Sequence, residues 1–134
     1  MESGMNDLTA YRLEKAQEAL REAEQNIEFH HFATSLNRSY YAVFHAMRAA
    51  NSLHGFDSRK HSGVIAFFNK TFIKEGLMDS SLSKIIQRTS YFREKSDYQD
   101  FFVASKTDAE RQLSDAKAFV TAVGAFLAEQ NQRN

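Results

Sequence analysis

Four side chains able to handle a phosphate or a proton recur at helical spacing: Arg38, Tyr41, His45 and Arg48. A helix turns about 100° per residue, so all four fall within roughly 80° of one direction. Leu36, Tyr40, Val43, Phe44 and Met47 fall on the other side. Two guanidiniums bring permanent charge and bidentate donors suited to a phosphate. An imidazole has the one unperturbed side-chain pKa near neutrality, which suits proton transfer. The same face can equally be the wetted side of an amphipathic helix, or an interface between two copies, where Arg and Tyr are favoured.

A second cluster lies between Arg88 and Asp100. There Arg93 and Asp97, four residues apart, can pair along a helix, and Tyr98 follows at once. The bland reading is a helix end and a turn, with Tyr98 as an anchor that packs its ring and bonds its hydroxyl. A third cluster, Arg59-Lys60-His61-Ser62-Gly63, sits where a helix should begin, and free N–H groups at a helix start can hold an anion. An ordinary cap and turn explains it as well. Ser35 and Ser39 stand near the Arg38–His45 face without an Asp-His-Ser arrangement. The five histidines show no metal-ligand spacing, and no P-loop, GxGxxG or nucleophile elbow is present. The residues therefore point to neither a metal nor a cofactor.

The elements that must position these groups are helices. The chain contains no proline, which an all-β chain of 134 residues would use in its turns. Five helical segments are predicted. The first runs from about Asp7 to Phe29, with a stripe of Leu13, Ala16, Leu20, Ala23 and Ile27. The second runs from about Ala33 to Leu53, with Ala33, Leu36, Tyr40, Val43 or Phe44, Met47 and Ala50 inward, and Gly55 ends it. The third spans about His61 to Glu75. Val64, Ile65, Phe67, Phe68, Phe72 and Ile73 make it apolar on more than one side, and Gly76 is its C-cap. The fourth starts at Asp79 or Ser80 and continues to about Lys95, with Leu82, Ile85, Ile86, Thr89 and Phe92 inward. An irregular stretch, Ser96 to Phe102, precedes a fifth helix opened by Ser105, with Asp108 three residues on as in a capping box. Ala109, Leu113, Ala116, Val120, Val123 and Leu127 carry that helix to a polar tail. The expected fold is an all-α, four- to five-helix up-and-down bundle. It forms one domain over residues 1–134, with a core of about 7–128 and polar ends at 1–6 and 129–134. The short link between the first two helices makes them an antiparallel hairpin.

Composition narrows the function classes. Seventeen basic and seventeen acidic residues give zero net charge, which argues against a general grip on nucleic acid; any such contact needs a local patch. Zero charge also leaves association with a partner or a second copy unopposed. There is no cysteine, so disulfides and thiolate metal sites are excluded. No apolar run approaches the roughly 20 residues that span a bilayer. Residues Met1 to Asn6 are polar and lack a signal-peptide core, and Met5 is an alternative start. A cytoplasmic protein without a membrane partner is expected.

Three ordered blocks make the chain resemble a known family: Arg38-Ser-Tyr-Tyr-Ala-Val-Phe-His45-Ala, Lys60-His61-Ser-Gly-Val-Ile-Ala-Phe-Phe, and Arg93-Glu-Lys-Ser-Asp97-Tyr98-Gln-Asp-Phe. It resembles the HEPN (higher eukaryotes and prokaryotes nucleotide-binding) domain family, in its small stand-alone prokaryotic branch, over about Leu13 to Val123. The resemblance implies a helical bundle that usually dimerises, and genetic pairing with a small nucleotidyltransferase, commonly as a toxin–antitoxin couple. Many members are metal-independent RNases whose site is an Arg followed after four to six residues by a His, brought together in two copies by dimerisation. The Arg would stabilise charge on a phosphate, and the His would move the proton of an attacking 2′-hydroxyl. That motif opens a late helix, which corresponds to the Arg93 region. Here Arg93 matches the Arg, and Tyr98 stands about where the His would be. Arg38 and His45 fit the spacing but lie on an early helix.

The candidate catalytic residues are thus Arg38, His45, Arg93 and Tyr98, with Tyr41, Arg48, His61 and Asp97 as binding residues. The resemblance also makes Tyr98 a candidate acceptor of a nucleotidyl group. The first expectation is a partner-binding, toxin-like subunit of a two-component nucleotidyltransferase system. The alternatives are a metal-independent endoribonuclease with an Arg/His cleft at a homodimer interface, and a non-catalytic module that binds a nucleotide, RNA or another anion.

Overall fold

The computed structural model describes residues 6–133. The choice between Met1 and Met5 concerns positions 1–5, which lie outside the described residues. Five α-helices follow in order: α1 (Asp7–Glu28), α2 (Phe32–Ser52), α3 (His61–Phe68), α4 (Ser81–Tyr98) and α5 (Lys106–Arg133). No strand is present among the described residues. None of these helices is long and apolar enough to cross a membrane.

Helix α2 is the axis of the bundle and packs against each of the other four. Its seam toward α1 is built from small residues with one exception, Arg12. Ser35, Ser39, Ala42, Ala46 and Ala49 are buried on α2, and Thr9, Arg12, Ala16, Ala19 and Ala23 on α1. Small side chains at this spacing let two backbones approach closely, and hydrogen bonds pin both ends of the hairpin. Thr9 Oγ1 and Ser52 Oγ lie 2.6 Å apart at one end, and Ser35 Oγ donates to the Ala23 carbonyl at 2.8 Å at the other. The pairing of early α1 with late α2 makes the hairpin antiparallel, as expected. The stripe on α1 differs from the expected one. Ala16 and Ala23 are on it, but Leu13 and Leu20 only flank the core and Ile27 is half-buried. The close approach of α2 selects alanine there and leaves the leucines to cover the edges.

The third segment departs from a single α-helix to Glu75. After Phe68 the chain makes a π-helical turn, Asn69–Ile73, closed by the Lys74 N–H on the Asn69 carbonyl at 2.8 Å. This wider turn adjusts the register so that Phe68 and Phe72 are both fully buried. Gly76 ends the segment at φ +76°, the left-handed conformation that a C-cap glycine supplies. Asp79 caps α4 by accepting the Ser81 N–H at 2.8 Å, and that bond holds its carboxyl below the usual carboxylate pKa. Ser105 Oγ accepts the Asp108 N–H at 3.0 Å and opens α5.

The end of α4 also differs from expectation. The helix continues past Lys95 to Tyr98, and only Gln99–Ser105 is irregular. The added turn is held by α2: Ser96 Oγ donates to the Ala33 carbonyl at 3.3 Å, and Asp97 Oδ2 accepts from Asn37 Nδ2 at 3.1 Å. These tertiary bonds carry the helix through residues that locally favour a turn.

Candidate functional site

Three elements converge on the aromatic pair Tyr40–Tyr41 in the middle of α2. The start of α3 delivers His61, whose Nδ1 lies 2.7 Å from the Tyr40 hydroxyl. The His61 ring stacks on Phe44 at 4.2 Å and meets Tyr41 edge-on at 5.7 Å. Helix α4 delivers Arg93, whose guanidinium lies 4.9 Å from the Tyr40 ring centre and 5.7 Å from those of Tyr41 and Tyr98. Tyr40, His61, Ser62, Ile65, Ser90, Arg93 and Glu94 line a cleft of about 340 Å³.

Arg93 is the cation of this cleft. Its side chain is 13% exposed, and the acid it pairs with, Asp97, stands 3.6 Å from Nε, an ion pair too long to be a hydrogen bond. Nε is shielded from solvent and has no hydrogen-bond partner among the described residues. A guanidinium held against aromatic faces, with donor capacity left over, is arranged to receive an oxyanion.

The two hydroxyl and imidazole groups of the cleft are tuned by burial. Burial pushes the Tyr40 phenol up to about 12, although the Arg93 charge pulls the other way. Tyr40 therefore keeps its proton at neutral pH. Burial, and then the Arg93 charge, hold the His61 imidazole below its ordinary pKa, so at neutral pH it is the free base. The neutral imidazole meets the Tyr40 hydroxyl in either tautomer: a bare Nδ1 accepts the phenol proton and Nε2 carries the N–H, or Nδ1–H donates to the phenol oxygen and Nε2 is left free.

The Arg38 face joins this cleft through a polar chain. Arg38 donates from Nε and Nη2 to Asn37 Oδ1 at 3.0 and 2.7 Å; Asn37 in turn donates to Asp97, which pairs with Arg93. Arg38 also lies 5.0 Å from the Tyr41 ring, which thus receives both guanidiniums. The structure therefore brings Arg38, Tyr41, His61, Arg93, Asp97 and Tyr98 into one connected set. Arg38 is partly neutralised, with Glu22 Oε1 at 3.3 Å from Nη1.

His45 and Arg48 stand apart from the cleft. His45 is half-buried against Tyr41 and Phe44, with ring centres 6.0 Å from each. Burial, with the charges of Arg48, Lys15, Arg38 and Arg12, lowers its pKa to about 4. The imidazole nearest Arg93 is thus His61 rather than His45. Arg48 turns toward the loop after α2, where its Nη2 meets Asp57 Oδ1 at 2.7 Å. At the start of α3, Ser58 Oγ accepts the Lys60 N–H at 3.1 Å, the ordinary turn that the third cluster could have been.

Sequence reasoning missed Tyr40, Asn37, Arg12 and Asp57. The helical position of Tyr40 marks it as core, and its hydroxyl reaches the cleft nonetheless. Arg12 carried a readable signal. It stands on the same stripe as Ala16, Ala19 and Ala23, and a charge on a buried stripe requires a partner.

Comparison with known proteins agrees with this architecture. "Putative toxin MJ0142" of Methanocaldococcus jannaschii is 32% identical over 121 residues, covering 89% of this chain and 81% of that protein. A UPF0332 protein of Archaeoglobus fulgidus is 34% identical over 109 residues, covering 81% of this chain and 86% of its own length. The crystal structure of TT1696 from Thermus thermophilus superposes with a TM-score of 0.76 at 16% identity, covering 90% of this chain and 99% of that one. An archaeal HEPN homologue, ST0689, superposes with a TM-score of 0.65 at 14% identity, covering 91% and 99%. The sequence profile of the HEPN domain matches residues 9–127, nearly the whole bundle, and the chain belongs to the HEPN domain family.

Proposed function

We propose that this chain is the toxin-like HEPN subunit of a two-component system, paired with a small nucleotidyltransferase that controls it at Tyr98. The observation that carries this reading is the position of Tyr98. It is 72% exposed at the end of α4, yet its ring lies 5.7 Å from the Arg93 guanidinium. A partner enzyme can reach the phenol, and a group added there falls beside the cleft's cation. In that transfer the phenol oxygen attacks the α-phosphorus of a nucleoside triphosphate. The Tyr98 O–P bond forms, the bond to the β-phosphate breaks, pyrophosphate leaves, and the phenol proton passes to a base of the partner. The product sets a phosphodiester anion next to Arg93 and neutralises it. Phe101 and Val103, 97% and 84% exposed, follow directly and offer apolar surface for such a partner. The name of the Methanocaldococcus jannaschii relative supports the toxin-like part of the reading.

The test is co-expression with a small nucleotidyltransferase, followed by size exclusion and intact mass. A co-eluting complex and the mass gain of one or more nucleotidyl groups, lost in Tyr98→Phe, is the expected result. Neither complex nor mass gain with a transferase encoded beside the gene overturns it.

A second reading, a metal-independent endoribonuclease acting as a homodimer, is favoured by the pairing of Arg93 with a free-base His61. With His61 as the Nδ1–H tautomer donating to the Tyr40 oxygen, its free Nε2 would take the proton of a 2′-hydroxyl as that oxygen attacks the adjacent phosphorus. The bond to the 5′-oxygen breaks, water protonates the leaving oxygen, and a 2′,3′-cyclic phosphate and a 5′-hydroxyl end result. Arg93 would hold the charge that develops on the phosphate. RNA cleavage in chelator should disappear in Arg93→Ala and His61→Ala. Cleavage that survives these and the Arg38→Ala and His45→Ala variants removes this reading.

A further inference from the structure

Away from the cleft, Asp57 receives two arginines on one oxygen. Nη2 of Arg48 and Nη2 of Arg12 approach its Oδ1 at 2.7 and 3.0 Å. The cations are the fixed part of this triad: the Arg12 side chain is 9% exposed, whereas that of Asp57 is 55% exposed. Arg12 is held in the α1–α2 seam, and Arg48 lies 6.0 Å from the Phe44 ring.

The acid does not satisfy the cations. Two positive charges face one negative charge. Arg12 Nη1 and Arg48 Nε are shielded from solvent and have no hydrogen-bond partner among the described residues. Buried donors left without acceptors are costly, and more so on a charged group. Two other acids of α1 are engaged with other cations, Glu18 with Lys15 and Glu22 with Arg38, both at 3.3 Å. His45, in the same region, is kept from protonation first by burial and then by the charges of Arg48, Lys15, Arg38 and Arg12. Arg12 and Arg48 against Asp57 alone leave this corner a local positive surplus that zero net charge conceals. A phosphate monoester brings up to two negative charges and three acceptor oxygens, so it can serve both guanidiniums at once. Rotation of the exposed Asp57 side chain about χ1 would vacate the position without moving the loop.

We propose that Arg12 and Arg48 form a phosphate-binding site, separate from the Arg93 cleft, which Asp57 occupies in the free protein and yields to a phosphate monoester. Its ligand is a terminal phosphate, carried either by a free 5′-mononucleotide or by the 5′ end of an RNA. The site stands independently of the role assigned to Tyr98.

The experiment is calorimetric titration of the full chain, its Asp57→Asn variant and its Arg48→Gln variant. The probes are inorganic phosphate, a 5′-mononucleotide, and one short RNA prepared with a 5′-phosphate or a 5′-hydroxyl. A resident competitor lowers apparent affinity by the fraction of sites it occupies, so Asp57→Asn should bind the phosphate probes about tenfold tighter. Arg48→Gln should lose that binding. Arg12 is buried in the seam and its replacement endangers folding, so Arg48→Gln decides, with a thermal melt to verify its fold. In the complex, the His45 imidazole should titrate at higher pH by NMR, because the anion offsets the surrounding cations. A mononucleotide that binds tighter than either RNA identifies the free nucleotide as the source. Preference for the 5′-phosphorylated over the 5′-hydroxyl RNA identifies the RNA end. Unchanged affinity in Asp57→Asn, or binding retained in folded Arg48→Gln, overturns the proposal.

Discussion

The Tyr40 hydroxyl and Nδ1 of His61 lie 2.7 Å apart and join the middle of α2 to the first residue of α3. The bond orients an imidazole that otherwise leans only on ring contacts, and it serves either protonation state of that imidazole. Tyr40 keeps its proton because burial raises its pKa to about 12, so the hydroxyl can donate to a bare Nδ1 or accept from Nδ1–H.

Replacing Tyr40 by Phe keeps the ring stack and deletes only the hydroxyl. A neutral hydrogen bond of this kind contributes about 0.5–1.5 kcal/mol net. Tyr40→Phe should therefore fold, with a loss in that range by urea denaturation, while the His61 ring resonances shift by NMR. A loss above about 3 kcal/mol would mean that the hydroxyl supports more than one contact.

Arg93 acts on His61 through its charge, second to burial. Substituting Arg93→Gln removes that charge and opens the aromatic packing. The His61 pKa should rise toward the ordinary imidazole value, read from ring proton shifts against pH. The His45 pKa should stay unchanged, because the cations that lower it are Arg48, Lys15, Arg38 and Arg12. Equal movement at both histidines would show a global rearrangement instead of a local field.

The helices were legible because their apolar residues recur at helical spacing. Gly76, Asp79 and Ser105 marked boundaries through chemistry that needs no tertiary context. The α1 seam was not legible, because a close helix contact selects small residues; Thr9, Arg12 and Ala19 carry no hydrophobic signal, while Leu13 and Leu20 carry a strong one. The site was legible in pieces. Arg38, Tyr41, His61, Arg93, Asp97 and Tyr98 were each picked out by type, but their union depends on the Asn37–Asp97 bond between residues 60 positions apart, which no local spacing encodes. His45 drew attention through its distance from Arg38 in sequence. Its burial among cations is a property of α1 and α2 together.

That seam makes a direct prediction about packing. Ala46 is fully buried on the face of α2 that meets α1. A leucine there must push the helices apart or leave its rotamer, and overpacking of this kind costs about 1–3 kcal/mol or more. Ala46→Leu should lower the urea midpoint, whereas Leu20→Ala, at the half-buried edge, should cost less than the roughly 2–5 kcal/mol of a fully buried leucine. If Ala46→Leu is neutral, α1 and α2 are not in close contact.

Stability should fall on mild acidification, and His45 should account for much of it. In the unfolded chain its imidazole titrates near 6.5; in the fold, burial and four neighbouring cations bring it to about 4. Between these values the unfolded state binds more protons than the native state, so unfolding becomes easier as pH drops. Above about 6.5 both states are neutral at His45 and its contribution is flat. His61, also lowered by burial and then by Arg93, adds in the same direction below its ordinary value. The carboxylates of Asp57 and Asp79, held low by Arg48 and by the Ser81 N–H, act in a later step, below their ordinary value of 3.8. Urea denaturation at pH 7.5 and pH 5 should therefore show a clear loss for the wild-type chain and a smaller one for His45→Gln, which has no imidazole to protonate. Equal losses in the two proteins would place the acid sensitivity elsewhere and would mean that His45 is better solvated than its packing against Tyr41 and Phe44 indicates.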